Sequence, residues 1–250
     1  MAEPALALTA LRKSFGALVV TDDLSLSIEP GELHAVIGPN GAGKTTLINQ
    51  ISGLLLPDSG SIRFAGRDIT TMPAHARAKL GLLRSFQVTS VLSGFSALEN
   101  VALAVQAHSG SSFRVVGDAA REEALNAPAR AALAEVGLAD RADVPAGHLA
   151  HGEKRALELA IALVADPKLL LLDEPMAGTG REETARLIAV LKKLKGRFAI
   201  MLVEHDMTAV FALADRISVM IYGHIVASGT PDAVRADPQV VAAYLGDEME

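Results

Sequence analysis

The chain has 250 residues, half of them hydrophobic and 21% charged, with 23 Lys and Arg against 29 Asp and Glu for a formal net charge of −6. That length supports a core that folds without covalent staples, and the acidic balance lacks the basic footprint of a nucleic-acid binder. With no cysteine, a disulfide framework, a zinc finger and a thiol nucleophile are excluded. Mean hydropathy is +0.31, yet a membrane span needs about 20 consecutive apolar residues. The densest runs, Leu159 to Ala165 and Leu169 to Leu172, stop at Asp166, Pro167 and Asp173. Met1 to Leu11 lacks the leading positive charge of a secretory signal. The expectation is a cytosolic chain whose contact with any membrane is indirect.

In chain order, Ala7 to Leu11 and Leu24 to Ile28 carry short apolar runs or alternation, and Glu29-Pro30-Gly31-Glu32 marks a turn. Leu33 to Ile37 reads as a buried strand, Gly38 to Gly43 as a glycine-rich loop and Lys44 to Ser52 as a helix. Pro57 to Gly60 is a turn before a strand at Ser61 to Phe64. The Ala-rich, amphipathic section from about Val88 to Leu149 reads as mostly helical, broken around Ser109 to Ser112, at Gly137 and at Pro145 to Gly147. Ser109 to Ser112 is the expected flexible point. Helix and strand then alternate: helices at Glu153 to Ala165, Arg181 to Lys195 and Thr208 to Ala214, strands at Lys168 to Asp173, Phe198 to Val203 and Ile217 to Tyr222. That alternation predicts an α/β fold with a mostly parallel sheet, interrupted by an inserted helical subdomain.

Gly38-Pro39-Asn40-Gly41-Ala42-Gly43-Lys44-Thr45 matches G-x-x-x-x-G-K-[ST] and falls between a predicted strand and helix. In such a loop the backbone N–H groups converge on phosphate oxygens at the positive end of the following helix. Lys44 would reach the β- and γ-phosphates and the Thr45 hydroxyl would bind Mg²⁺. The candidate nucleotide contacts are therefore Gly38, Asn40, Gly41, Ala42, Gly43, Lys44, Thr45 and Thr46. Asp173-Glu174 ends an apolar run, at the strand edge where open α/β sheets bind ligands. His205 ends the next strand and is expected on the same edge. The guanine-reading run Asn-Lys-x-Asp of GTPases is absent.

With Gln87 in Ser85-Phe86-Gln87, Leu149-Ala150-His151-Gly152-Glu153, Leu169 to Glu174 and Val203-Glu204-His205-Asp206 following the loop in order, the whole chain resembles the ATP-binding cassette (ABC) ATPases. The resemblance implies an α/β P-loop NTPase (RecA-like) core with an N-terminal antiparallel β subdomain and an inserted α-helical subdomain. The core is expected at 1–87 and 151–250, and the helical subdomain at 88–150. It implies ATP and Mg²⁺ as cofactors, with Asp173 holding Mg²⁺ through water, Gln87 sensing Mg²⁺ and the attacking water, Glu174 as general base and His205 on the γ-phosphate. Phe15, in Lys13-Ser14-Phe15-Gly16, stands where the family stacks an aromatic ring on adenine. Ala150, His151, Gly152 and Glu153 form the signature turn, which in this family contacts ATP held by the opposite protomer.

Two departures stand out. The usual signature Leu-Ser-Gly-Gly-Gln loses its serine hydroxyl at Ala150, and Gly180 replaces an acidic or amide residue that links the protomers in many relatives. Finer resemblance, carried by residues 150–159, 174–178 and 203–207 and by Gly229-Thr230-Pro231 through Ala243-Tyr244-Leu245-Gly246, is to the ATP-binding subunits of branched-chain amino-acid importers. It implies a second ABC ATPase subunit (homo- or heterodimer), two transmembrane permeases, a periplasmic substrate-binding protein reached through them, and a place on the inner face of the cell membrane. A permease helix would dock near Phe86, Val88, Val91, Leu92 and Phe95. Related systems for urea, amides, aromatic acids or lipopolysaccharide export, and a soluble ABC ATPase without a permease, remain open at this level.

Overall fold

A computed structural model describes residues 3–84, 91–109 and 123–240. Gln87, Phe86, Val88, most of the Ser109 to Ser112 break and the Ala243 to Gly246 ending lie outside the described residues. The chain divides into two compact units, residues 1–84, 168–174 and 194–250 in one and 85–167 and 175–193 in the other.

The first unit holds both sheets. In one, β1 (Leu6–Phe15) pairs antiparallel with β2 (Leu18–Ile28) and with β4 (Ser59–Phe64), and β4 pairs with β5 (Arg67–Asp68). The other runs β10-β9-β3-β8-β7-β6, built from β3 (Leu33–Ile37), β6 (Leu82–Arg84), β7 (Leu169–Asp173), β8 (Ala199–Val203), β9 (Arg216–Ile221) and β10 (His224–Gly229). All neighbours in it are parallel except β10 on β9. The sequence dictates this difference between the sheets. Leu6, Leu8, Leu24, Leu26 and Ile28 recur every second residue, so one face of the hairpin is apolar and buries into the core. Leu169 to Leu172 and Ala199 to Val203 are apolar throughout, as strands covered on both faces must be. The inner face of the hairpin shares one core with Val36, Met201 and Val203 of the parallel sheet and with Leu47, Ile48 and Ile51 of α1 (Lys44–Ser52).

The expected β3 and α1 coincide with the observed elements. β1 and β2 run longer than their apolar stretches, because antiparallel pairing carries polar residues along through register shifts between Leu8 and Ser14. α2 (Ala74–Lys79), β6 and β10 are additional to the expected elements. They are short or half-exposed and show no apolar period of their own. The unit is completed by α7 (Met207–Leu213), α8 (Pro231–Ala236) and α9 (Pro238–Val240).

The second unit is helical: α3 (Ala97–Ser109), α4 (Glu123–Glu135), α5 (His151–Leu163) and most of α6 (Arg181–Leu194), with single 3₁₀ turns at Ala139–Arg141 and Ala146–His148. α5 packs against both α3 and α4, and the side chain of Glu183 on α6 lies against Gly152 at the start of α5. These contacts draw α5 and α6 into the helical unit. Asn100 organises the preceding loop: its Oδ1 accepts the Leu92 N–H at 2.8 Å, and its Nδ2 donates to Leu92 O, Phe95 O and Ser96 O. Among the described residues no helix is long and apolar enough to cross a membrane.

Candidate functional site

The chain leaves β3 at Ile37, turns through Gly38 to Gly43 and enters α1. Two of the glycines are required by contact as well as conformation. Gly38 has φ +152°, and a Cβ there would run into the Met220 carbonyl. Gly43 has φ +105°, and a Cβ there would collide with the Val20 carbonyl and lie 2.7 Å from Met220 Cε. The loop is braced from behind by the β9–β10 turn, where Gly223 N–H donates to Ala42 O at 3.0 Å and Asp22 N–H donates to Gly223 O at 3.0 Å. Among the described residues no side chain caps the start of α1, so its first N–H groups suit an anion. Ala42 is buried, Asn40, Gly41 and Thr45 are exposed, and Thr46 is half-buried. Lys44 is buried, and its Nζ donates to Gly38 O at 2.5 Å and Pro39 O at 2.9 Å. An ammonium has three donors, so one remains for a ligand.

β7 brings two carboxylates to the same edge. Asp173 is buried, and its Oδ2 accepts from Arg84 Nη2 at 2.9 Å. Burial, with the Glu174 charge beside it, raises its pKa and outweighs the opposing pull of Arg84 and Lys44. Its Oδ1 is buried and has no hydrogen-bond partner among the described residues. An anionic oxygen left free in this way fits a hydrated divalent cation. Burial lowers the pKa of Lys44, and the charges of Glu174 and Asp173 act against that fall. Lysine, aspartate and glutamate are therefore one electrostatic cluster. Glu174 adopts φ +47°, its N–H donates to Val203 O at 2.8 Å, and its carboxylate is about a quarter exposed. His205, just past the end of β8, sits with Nδ1 4.0 Å from Glu174 Oε1 and its ring 61% exposed.

Phe15 closes β1 and is half-exposed. Its neighbours are clamped by Asp58, whose Oδ1 accepts from Lys13 Nζ at 2.6 Å and Oδ2 from Ser14 N–H at 2.7 Å. Lys13 Nζ also lies 5.7 Å from the Phe15 ring centre. In the helical unit, Ala150 caps α5 without a side-chain oxygen, and Glu153 Oε2 accepts the Ala150 N–H at 2.8 Å. Arg141 Nε pairs with Glu153 Oε1 at 2.9 Å. His151 Nε2 lies 3.2 Å from Ala177 O, which ties the turn to the loop after β7. The structure thus brings Lys44, Asp173, Glu174 and His205 together in one unit and places Ala150 to Glu153 in the other.

Comparison with known proteins decides what this edge belongs to. A family model described as ABC transporter matches residues 21–177, and one described as branched-chain amino acid ATP-binding cassette transporter matches residues 224–250. The chain belongs to the ABC transporter family. Among its relatives, the high-affinity branched-chain amino acid transport ATP-binding protein BraF of Pseudomonas aeruginosa is 37% identical over 99% of this chain and 100% of its own length. The corresponding protein LivG of Escherichia coli is 36% identical over the same shares of the two chains. Among solved structures, the ADP conformation of MJ1267, an ATP-binding cassette of an ABC transporter, covers 98% of this chain and 100% of its own, with TM-score 0.85 and 30% identity. As an ABC ATPase, this chain binds and hydrolyses ATP.

Two side chains of this ABC edge carry little signal in the sequence. Arg84 ends the three-residue β6 and reaches both Asp173 and, at 2.6 Å, Asn49 Oδ1 of α1. Its position just before Ser85-Phe86-Gln87 is the only sequence cue. Glu204, between β8 and His205, is fully buried, and a lone acid beside a histidine reads from sequence as a loop residue.

Proposed function

We propose that this ABC ATPase is the ATP-binding subunit of an importer for branched-chain or related amino acids, acting from the inner face of the membrane on two separate permeases. The observation that carries the ATPase chemistry is the convergence of Lys44, Asp173, Glu174 and His205 at one sheet edge. The cargo reading is supported by the named relatives and by the subfamily match at residues 224–250, and the partners are those such an importer needs.

In this reading the Gly38 to Gly43 cradle and the start of α1 bind the phosphates, with Asn40, Gly41, Ala42 and Thr46 donating around them. Lys44 supplies a charged donor to the terminal phosphates. Thr45, Asp173 and Gln87 would hold Mg²⁺, which would supply neutralisation of the phosphate charge. Glu174 orients a water molecule and takes its proton. His205 contacts the γ-phosphate, and Phe15 stacks on adenine. Residues 150–153 serve the ATP of a second cassette, so the two halves of each site come from two protomers, with the core carrying one half and the helical subdomain the other. Closure on ATP and reopening after hydrolysis make that pair a two-state element. Leu92 and Phe95, 51% and 44% exposed on the loop held by Asn100, are docking residues for a permease helix. A periplasmic binding protein would deliver cargo through the permeases.

The test is recovery of the tagged chain from membranes together with two polytopic subunits and a second cassette, and loss of leucine uptake on its deletion. Recovery as a soluble protein with intact uptake would refute the importer role.

Two variants probe the composite site. Ala150→Ser restores a hydroxyl to the signature turn, adding a bond to a charged phosphate worth about 1.5–3 kcal/mol. ATPase turnover is expected to be held or raised, and a large loss would mean that this turn does not face nucleotide. Asp58→Ala releases the clamp beside Phe15. Because base stacking is worth about 1–3 kcal/mol, a several-fold rise in KM for ATP with kcat preserved is the expected steady-state result. The Lys13 hydrogen bond, followed by the one from Ser14, holds the Asp58 pKa below the ordinary aspartate value. A depressed carboxylate pKa means the clamp is complete above the unfolded value and is lost only as pH falls through the folded one. KM should therefore show no pH dependence arising from Asp58 between pH 6 and 8, well above the ordinary carboxylate value of about 4.

A further inference from the structure

Glu204 has no part in the reading above, yet its surroundings are specific. Its carboxylate is fully buried at the end of β8. Oε2 accepts the backbone N–H of His205 at 2.8 Å and of Asp206 at 3.3 Å, and lies 3.6 Å from His205 Nδ1. Glu174 Oε1 lies 4.0 Å from the same ring nitrogen. The third acid nearby, Asp206, is turned to α7, where its Oδ1 accepts the Ala209 N–H at 3.1 Å. His205 therefore presents Nδ1 to two carboxylates, one of them buried.

A neutral imidazole carries one hydrogen, and the nitrogen facing an anionic oxygen is the one that keeps it. With the hydrogen held on Nδ1, Nε2 is the nitrogen that exchanges protons. A proton arriving there turns Nε2 into a donor to a phosphate oxygen, while Nδ1–H stays on the carboxylate side. The reverse tautomer would already donate from Nε2, but it would set a lone pair against Glu204 and leave Nε2 unable to take up a proton from the reacting groups.

We propose that Glu204 is a positioning residue of the ATPase site, fixing the turn that carries His205 and holding its ring hydrogen on Nδ1 so that Nε2 serves the γ-phosphate. This rests on the reading of His205 as a phosphate contact. The physics is that of an outer carboxylate orienting a histidine that itself meets the ligand.

The experiment uses the full chain labelled with ¹⁵N in its histidine rings, with His205→Ala to assign the His205 signals. Glu204→Gln keeps the side-chain shape and an acceptor oxygen for the two N–H groups but removes the charge. Outer-shell partners of this kind are worth about 10–100-fold, so kcat is expected to fall at least ten-fold while KM for ATP changes little. The His205 ring should show Nδ1–H in the wild-type protein and a population shifted toward Nε2–H in Glu204→Gln. Glu204→Ala, which removes both charge and acceptor, should lose more turnover than Glu204→Gln. If Glu204→Gln folds and keeps both the wild-type kcat and tautomer while His205→Ala is inactive, the role of Glu204 is wrong and that of His205 stands. If His205→Ala itself keeps full turnover, the reading of His205 fails first. Should Glu204→Ala not fold, Glu204→Gln decides alone.

Discussion

Glu174→Gln should all but stop ATP turnover, lowering kcat by about 10²–10⁴-fold, the range a positioned general base supplies. The substitution is nearly isosteric, so the turn after β7, held by the Glu174 N–H on Val203 O, is kept. What disappears is the capacity to accept a proton. Glu174 is suited to that task by placement. Its positive φ turns the chain sharply after Asp173, which separates the two carboxylates: Asp173 stays buried against Arg84, and Glu174 remains partly open to water. Such a backbone conformation costs a non-glycine residue about 1–3 kcal/mol, a strain retained where function needs it. ATP affinity should survive, because the phosphate cradle and Lys44 are untouched. Phosphate release and equilibrium ATP binding, measured on the same preparation, separate the two effects. Unchanged kcat would remove Glu174 from the chemistry. Asp173→Asn should behave differently, losing Mg²⁺-dependent ATP affinity as well as turnover, because it alters the oxygen left free for the cation.

The parts of this molecule that were legible in its sequence are those whose signal is local. Gly38 to Thr45 announces its own geometry, since glycines punctuate the chain where a Cβ would strike Met220 or Val20, and the flanking β3 and α1 therefore fall where expected. Leu169 to Leu172 and Ala199 to Val203 could be read as central strands because burial on both faces leaves an unbroken apolar run. Elements stabilised by distant partners were not legible. β6 exists because Leu82 to Arg84 pair with Leu169 to Leu171, and its purpose at the site, the Arg84 to Asp173 contact, spans 89 residues. The grouping of α5 and α6 with the helical unit likewise depends on packing that no period in either helix reveals. Glu204 was visible as a letter, but its burial was not.

The largest stability effect belongs to another residue of that illegible kind, Arg77 on α2. Its side chain is fully buried, and burial pulls its pKa down to about 10, which still leaves it charged at neutral pH. It satisfies backbone carbonyls: Nη1 donates to Gln50 O and Ile51 O at 2.7 Å each, Nη2 to Thr70 O at 3.0 Å and Nε to Met72 O at 2.8 Å. The first two are among the last carbonyls of α1, where the helix dipole is negative and a cation is stabilising. The guanidinium fork thus anchors the far end of the helix whose near end carries the phosphate cradle. Gly53, which caps that end with φ +81°, leaves it room, since a Cβ there would lie 2.7 Å from Arg77 Nε. Arg77→Met keeps most of the volume but removes every donor. Each buried acceptor left unmet costs about 1–3 kcal/mol; Gln50 O still accepts the Gly53 N–H at 3.2 Å, so the loss rests on the carbonyls of Ile51, Thr70 and Met72 and should reach about 3 kcal/mol or more. For a chain of this size that corresponds to a fall in Tm of about 6–12 °C. Arg77→Lys, which retains the charge but not the fork, should lose less. Urea unfolding of the three proteins checks this: parallel slopes with a lower midpoint confirm a loss of native stability. A change below about 1 kcal/mol for Arg77→Met, within the range of ordinary point substitutions, would show that water replaces the guanidinium at the base of α1.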